Sequence, residues 1–186
     1  MLKIALTGGI GTGKSYILRK FFAMDIPVYC ADIEAKYLYY QPDVKQKVKG
    51  FFGEGIFTDN EVDLKKMAVE IFSDTDKMKF INTLISPLIM KDFNFWAAEC
   101  NSPIVIMETA IIYENKLETF FDLVIVVDAA ESTRIERLKK RETSLTEEMI
   151  WQRIHSQIPQ EEKVKRADLI IDNDEENQWE IIYKPN

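Results

Sequence analysis

The 186-residue sequence predicts an α/β fold, a five-stranded parallel sheet with helices on both faces. Two observations predict it. Five short apolar runs rich in Val or Ile alternate with longer stretches of helical periodicity, the pattern of strands covered on both sides. Polar residues follow the runs, as expected where functional groups collect at the carboxyl ends of parallel strands. A chain of this length is enough for one compact domain spanning residues 1–186, and too short for two ordinary ones unless the second is a small insertion.

The first strand is Lys3–Leu6. Behind it, Gly8-Gly9-Ile10-Gly11-Thr12-Gly13-Lys14-Ser15 fits the phosphate-binding loop pattern G-x-x-x-x-G-K-[ST] without a mismatch. The glycines let the backbone turn tightly with its N–H groups inward, a concave nest for phosphate oxygens, and the helix starting near Lys14 adds its positive end. In this reading Lys14 reaches the β- and γ-phosphates as a point charge, and the Ser15 hydroxyl is a ligand of Mg²⁺. The second strand, Pro27–Cys30, leads to Asp32. From Ile33 to Ser102 helical periodicity runs without a convincing strand, interrupted at Pro42, Gly53-Glu54-Gly55, Thr58-Asp59-Asn60 and Pro87, which reads as a helical insertion covering the acceptor site. The third strand, Ile104–Met107, precedes Glu108, and the fourth, Leu123–Val127, precedes Asp128. Residues 131–166 are helical and charged, broken near Thr143-Ser144 and Pro159, with Thr143 or Ser144 as cap of the helix that Glu147 and Glu148 begin. A charged helical hairpin beside a phosphate loop suggests a lid. The fifth strand, Leu169–Ile171, precedes Asp172-Asn173.

Composition narrows the function classes. A formal net charge of −7 argues against nucleic acid as the main partner, so an anionic substrate needs local positive charge. Residues 131–166 supply it, with nine Arg or Lys against seven Glu. No segment has the apolar length needed to cross a bilayer, and the N-terminus enters a core strand directly, which leads to the expectation of a cytoplasmic protein. Cys30 and Cys100 form neither a disulfide framework nor a zinc-ligand spacing, and Cys30, inside an apolar run, reads as a buried reduced thiol. A single His, His155, excludes His-rich metal chemistry and reads as a surface or packing residue.

Asp32 is the general-base candidate: phosphoryl transfer asks for alignment, charge neutralisation and a carboxylate that orients or accepts the hydroxyl proton. The alternative is an N-cap for the helix from Ile33. Glu108 is favoured over Asp128 as the acid that reaches Mg²⁺, and simple strand termination remains the alternative for either. Arg134, Arg137 and Arg141, spaced by three and four, share one helix face on which they would clamp developing phosphoryl charge as a lid closes; a solvated charged face is the alternative. Glu136, Lys139 and Lys140 lie off that line. Gln157, Lys163 and Asn173 are nucleotide-contact candidates of a type ordinarily found on the surface.

Together these residues resemble the dephospho-CoA kinase family, which phosphorylates the ribose 3′-hydroxyl of dephospho-coenzyme A in the last step of coenzyme A synthesis. The resemblance runs along nearly the whole chain: Leu6 to Ser15, Ile26-Pro27-Val28 with Ala31-Asp32, Phe52-Gly53, Asp59 to Asp63, Glu108 to Glu114, Arg137 to Arg141, Arg153, Gln157, Ala167-Asp168 and Ile171-Asp172-Asn173. It implies a P-loop NTPase fold like that of nucleoside monophosphate kinases, with a core sheet, a helical acceptor region over about 33–102 and a lid over about 131–166. It also implies ATP as donor, with Gly11, Thr12, Gly13, Lys14, Ser15, Tyr16 and Asn173 holding the nucleotide, Asn173 near the adenine. Asp32 matches the proposed catalytic carboxylate, and Arg137 and Arg141 match the lid arginines. Cys30, Leu64, Ser86, Glu108 and Ala110 depart from the commoner pattern, in which Asp, Arg, His, Asp and Pro stand at those places; loss of the His and Arg bears on how the acceptor is held. The Glu-x-Ala-Ile-x-x-Glu form of residues 108–114 resembles enzymes of Bacteroides-like bacteria. A nucleoside or nucleotide kinase of the same architecture is the neighbouring reading. A GTP-binding switch ranks below both, because Asp172-Asn173-Asp174-Glu175 stands where Asn-Lys-x-Asp would read guanine. A monomer acting on a small molecule is expected.

Overall fold

The computed structural model describes residues 1–141, 146–175 and 178–183. The chain divides into two compact units, Cys30–Glu99 and the remainder on either side of it.

The larger unit is built on a six-stranded sheet. Its strands are β1 (Leu2–Thr7), β2 (Val28–Cys30), β5 (Ile104–Glu108), β6 (Leu123–Asp128), β7 (Leu169–Glu175) and β8 (Gln178–Tyr183), in the order β2-β5-β1-β6-β7-β8. The five expected strands form the parallel part, with Leu6 opposite Glu108 on one side and Ile125 on the other. Ala5, Leu6, Val105, Ile106, Met107, Val126 and Val127 are buried, and each fully buried Val, Leu, Ile or Met side chain contributes about 1.5–3 kcal/mol. From β1 the chain proceeds through α1 (Lys14–Phe22) toward β2 at one edge; from β6 it proceeds through α6 (Glu131–Arg141), α7 (Glu147–His155) and α8 (Gln160–Arg166) toward β7. The direction of winding therefore reverses between the neighbours β1 and β6, the place where open α/β sheets bind ligands.

Two strand expectations change. β7 runs to Glu175, so Asp172 and Asn173 lie inside the strand, and β8 adds an antiparallel edge that pairs Ile171 with Ile181. The cap of α7 is Thr146, whose hydroxyl accepts the Met149 amide proton; the expected caps Thr143 and Ser144 lie outside the described residues.

The smaller unit contains α2 (Ala31–Leu38), α3 (Pro42–Phe52), α4 (Leu64–Ser73) and α5 (Thr75–Glu99). It also contains strands that the sequence reading missed: β3 (Phe57–Thr58) and β4 (Glu61–Val62) form a two-residue hairpin, with Asp59 and Asn60 turning at positive φ. The turn signal was visible, but strands this short carry no periodicity. Pro42 stands at the start of α3, where its missing N–H costs nothing. Pro87 does not interrupt α5, a helix of 25 residues. Ile81, Ile85, Ile89 and Phe93 bury one stripe while Pro87 is exposed on the other side, so the carbonyl one turn before it faces the wet side of the helix. Phe51 stacks on Phe80 at 3.9 Å, joining α3 to α5.

Candidate phosphate-binding site

The loop between β1 and α1 is fixed from several sides. Gly13 caps α1 at φ 91°, and a Cβ there would lie 2.1 Å from Asn173 Nδ2. Gly8, at φ 146°, would place a Cβ 2.4 Å from the Val127 carbonyl. These glycines serve left-handed backbone and close packing of protein against the loop. Gly11 has the backbone of Arg134 against it, and Ile10 packs on the apolar cluster Leu138, Ile150 and Ile154 of α6 and α7.

Side chains hold both kinds of backbone group in the loop. Gln160 Oε1 accepts the Gly9 amide proton at 2.8 Å and Gln157 Oε1 accepts that of Ile10 at 2.9 Å. On the carbonyl side, Arg134 Nε donates to Ile10 at 2.9 Å and Asn173 Nδ2 to Thr12 at 2.8 Å. Arg137 donates to Thr12 and, through its other nitrogen, to the carbonyls of Asn173 at 2.7 Å and Asp174. Thr12 is fully buried, its hydroxyl donating to the Gly9 carbonyl. Lys14 Nζ donates to the Gly8 carbonyl at 3.0 Å and lies 3.9 Å from the Glu108 carboxylate. Ser15 is exposed in the first turn of α1, and Tyr16 is half-buried with Lys20 over its ring.

The arginine stripe is therefore graded. Arg134 is 4% exposed, and burial pulls its guanidinium below the ordinary value, against the raising effect of Glu131, Asp128 and Glu161. Arg137 is half-buried on backbone carbonyls, and Arg141, the last residue of α6, is exposed. For Arg134 the solvated-face alternative fails. The neighbouring charges pair elsewhere, Lys140 with Glu136 and Lys139 with Glu147.

For the three nucleotide-contact candidates the alternative of an ordinary surface residue does not hold. Asn173 is buried against the loop. Gln157 is half-buried on a loop amide. Lys163 is 0% exposed: its ammonium donates to the Ala110 carbonyl at 2.6 Å and pairs with Glu114 at 2.7 Å. Burial lowers the Lys163 pKa, and Glu114 only partly opposes it. The same Glu114 oxygen accepts the Ile158 amide proton at 3.0 Å, tying the segment after β5 to the turn that carries Gln157 and Gln160. Gln160 and Glu114 were missed as site residues. The one signal for Gln160 was its place beside Pro159, whereas Glu114 was visible as the last residue of the Glu-x-Ala-Ile-x-x-Glu form but was given no role.

Asp128 is engaged at the end of β6, accepting from the Ala129 amide and from Gln160 Nε2 at 2.9 Å. Glu108, 7% exposed, is the carboxylate beside Lys14. Among the described residues no group of three His, Cys, Asp or Glu is placed to hold a metal ion. His155 is exposed, stacked on Trp151 as the packing reading expected.

In the smaller unit, Asp32 is exposed in the first turn of α2. The helix begins at Ala31 with Cys30 as N-cap and no side-chain cap, so Asp32 is not the cap; its charge suits the helix's positive end. Cys30 is half-buried rather than buried. Leu64 opens α4 behind the capping Asp63, and Ser86 is half-buried within α5.

The sequence profile described as CoaE, dephospho-CoA kinase, matches residues 2–178. A dephospho-CoA kinase of Porphyromonas gingivalis is 37% identical over 80% of this chain and 74% of its own length. One from Bacteroides fragilis is 33% identical over 94% of this chain and 86% of its own. A crystal structure from Thermus thermophilus superposes with a TM-score of 0.81 at 25% identity, covering 94% of this chain and 89% of that one.

Proposed function

The chain belongs to the dephospho-CoA kinase family, and from that membership we infer that it transfers the γ-phosphoryl group of ATP to the ribose 3′-hydroxyl of dephospho-CoA, giving coenzyme A and ADP. The observation that carries this reading on the chain itself is the phosphate loop, pinned at Gly9 and Thr12 by buried side chains and at Ile10 by the half-buried Gln157, while Lys14 stands beside Glu108.

The proposed division of labour follows from the chemistry of the side chains. Phosphoryl transfer is mostly positioning and charge neutralisation. The loop amides and Lys14 receive the triphosphate, with Gly11, Thr12, Gly13, Ser15 and Tyr16 forming the rest of the nucleotide contact. Asn173 acts through the Thr12 carbonyl, a role its geometry supports better than direct adenine contact. Mg²⁺, when bound, neutralises phosphate charge, and Ser15 and Glu108 are the residues that would hold it. Glu108 is preferred for its place beside Lys14 at the end of β5, whereas Asp128 accepts from Gln160 and Ala129. Asp32 orients the acceptor hydroxyl and takes its proton. Arg141, exposed at the end of α6, is the arginine of the stripe suited to meet the transferred phosphoryl group, with Arg137 fixing the loop behind it. Residues 131–166 serve as the lid and residues 33–102 as the acceptor region of a single functional domain. No helix among the described residues is long and apolar enough to cross a membrane; a cytoplasmic monomer that does not bind nucleic acid is the proposed setting.

Purified protein with ATP and Mg²⁺ should be offered dephospho-CoA, adenosine and nucleoside monophosphates separately, with product position read by phosphorus NMR. Transfer to the 3′-position of dephospho-CoA is expected; transfer only to a nucleoside monophosphate overturns the reading. Lys14→Ala should weaken both ATP binding and rate, and a fully active variant would contradict the loop assignment.

A further inference from the structure

We propose that Gln157 and Gln160 are positioning residues for phosphoryl transfer, fixing the path of the phosphate loop by taking up the Gly9 and Ile10 amide protons, so that the amides from Gly11 onward are left to the phosphates. The proposal rests on the loop being the ATP site. A phosphate nest works through the orientation of its N–H groups. Gly9 at φ outside the left-handed range and Ile10 are the loop positions whose amide protons are received by side-chain oxygens, 2.8 and 2.9 Å away.

Gln160 suits this task for a reason of donor and acceptor count. Its Oε1 accepts from Gly9, and its Nε2 donates to the Val127 carbonyl at 3.0 Å and to Asp128 Oδ1 at 2.9 Å. All three contacts are made by a buried side chain, so the one residue joins the loop after β1 to the end of β6, across the place where the winding of the sheet reverses. An amide is the one side-chain group of this length with an acceptor on one side and two donors on the other. Glu offers no donor when ionised. The turn carrying both glutamines is itself held, since the Ile158 amide donates to Glu114, and Glu114 is held by the buried Lys163.

The test separates this role from general stability. Steady-state kinetics with ATP and dephospho-CoA should be measured for wild type, Gln160→Met, Gln160→Glu and Gln157→Leu. Wild-type transfer to dephospho-CoA establishes the reading on which the proposal stands; its failure sinks that reading, and the variants speak only to the positioning role. Gln160→Met leaves a buried amide proton and a carbonyl unpaired, and KM for ATP should rise about tenfold with kcat within about threefold. Gln157→Leu, at a half-buried position with one bond, should give a smaller rise and keeps the test alive if a Gln160 variant does not fold. In Gln160→Glu the new carboxylate faces Asp128 and the Val127 carbonyl on β6. Arg134 of α6 lies near its other oxygen, with Glu131 and Glu161 around that guanidinium. Protonation restores a donor toward Asp128, so the raised KM should fall toward wild type as pH is lowered, a recovery that loss of stability alone does not produce. KM for ATP within twofold of wild type in Gln157→Leu and in each Gln160 variant that folds, or no pH-dependent recovery in a folded Gln160→Glu, overturns the proposal.

Discussion

Lys14 and Asp32 stand in different units and in different kinds of surroundings. Lys14 sits on a loop whose carbonyls and amides are gripped by Arg134, Arg137, Asn173, Gln157 and Gln160, three of them buried. Asp32 is exposed on the first turn of an eight-residue helix, in a unit made of helices and a two-residue hairpin. The difference teaches that recognition of phosphate, a ligand part of fixed shape and charge, is built into a packed core, whereas the proposed acceptor chemistry rests on an exposed carboxylate. The departures from the commoner family pattern at Leu64 and Ser86 fall in that second unit.

The contrast is broken most directly by Asp32→Asn. A general base contributes roughly 10²–10⁴ in rate, so turnover should fall by that range while ATP affinity and melting temperature hold. Unchanged turnover would remove Asp32 from the mechanism. Lys163→Met is expected to do the reverse, acting on stability first. Removing one partner of a buried pair costs about 3–5 kcal/mol, read as a lowered denaturant midpoint. pH sharpens this case. The folded-state pKa of Lys163 is lowered from 10.5, so between the lowered value and the ordinary one the unfolded chain binds more protons. Unfolding free energy should therefore rise with pH through that window in wild type, and this contribution should be missing in Lys163→Met. An identical pH dependence in both proteins would mean that Lys163 does not titrate as its burial requires.

Gly13→Ala tests the close packing of the loop. Left-handed backbone and the nearby Asn173 amide together should cost about 1–3 kcal/mol, measured as a roughly fivefold to 150-fold loss of ATP affinity. The smallest effect is expected from Thr146→Ala, which removes the cap of α7 and should cost about 1 kcal/mol in thermal unfolding with kcat unchanged. A larger fall in kcat than in stability would assign that helix a direct part in turnover.

Much of the core was legible because local signals and tertiary demands agree there. All five parallel strands were found, since a strand buried on both faces must be apolar throughout, and the loop motif carries its own backbone chemistry. β8 was missed because it follows the polar run Asp172–Asn177 at the end of the chain, and its partner strand was read as ending at Ile171. The true length of β7 also decides Asn173: inside the strand it faces the loop, whereas past the strand end it reads as a surface polar residue. Pro87 misled because a proline signals a break only when its helix has nothing else to hold it, and the buried stripe of α5 does hold it.

The sequence by itself determined the parallel core, the phosphate loop with Lys14 and Ser15, and the kinase family, because each is written in residues close together or in a periodic pattern. Only the tertiary structure decided what grips that loop. Gln160 is 151 residues from Gly9, Asn173 is 161 from Thr12 and Lys163 is 53 from Ala110. A polar side chain is recognised as structural only when the fold removes water from it and supplies its partner, and chain spacing records neither event.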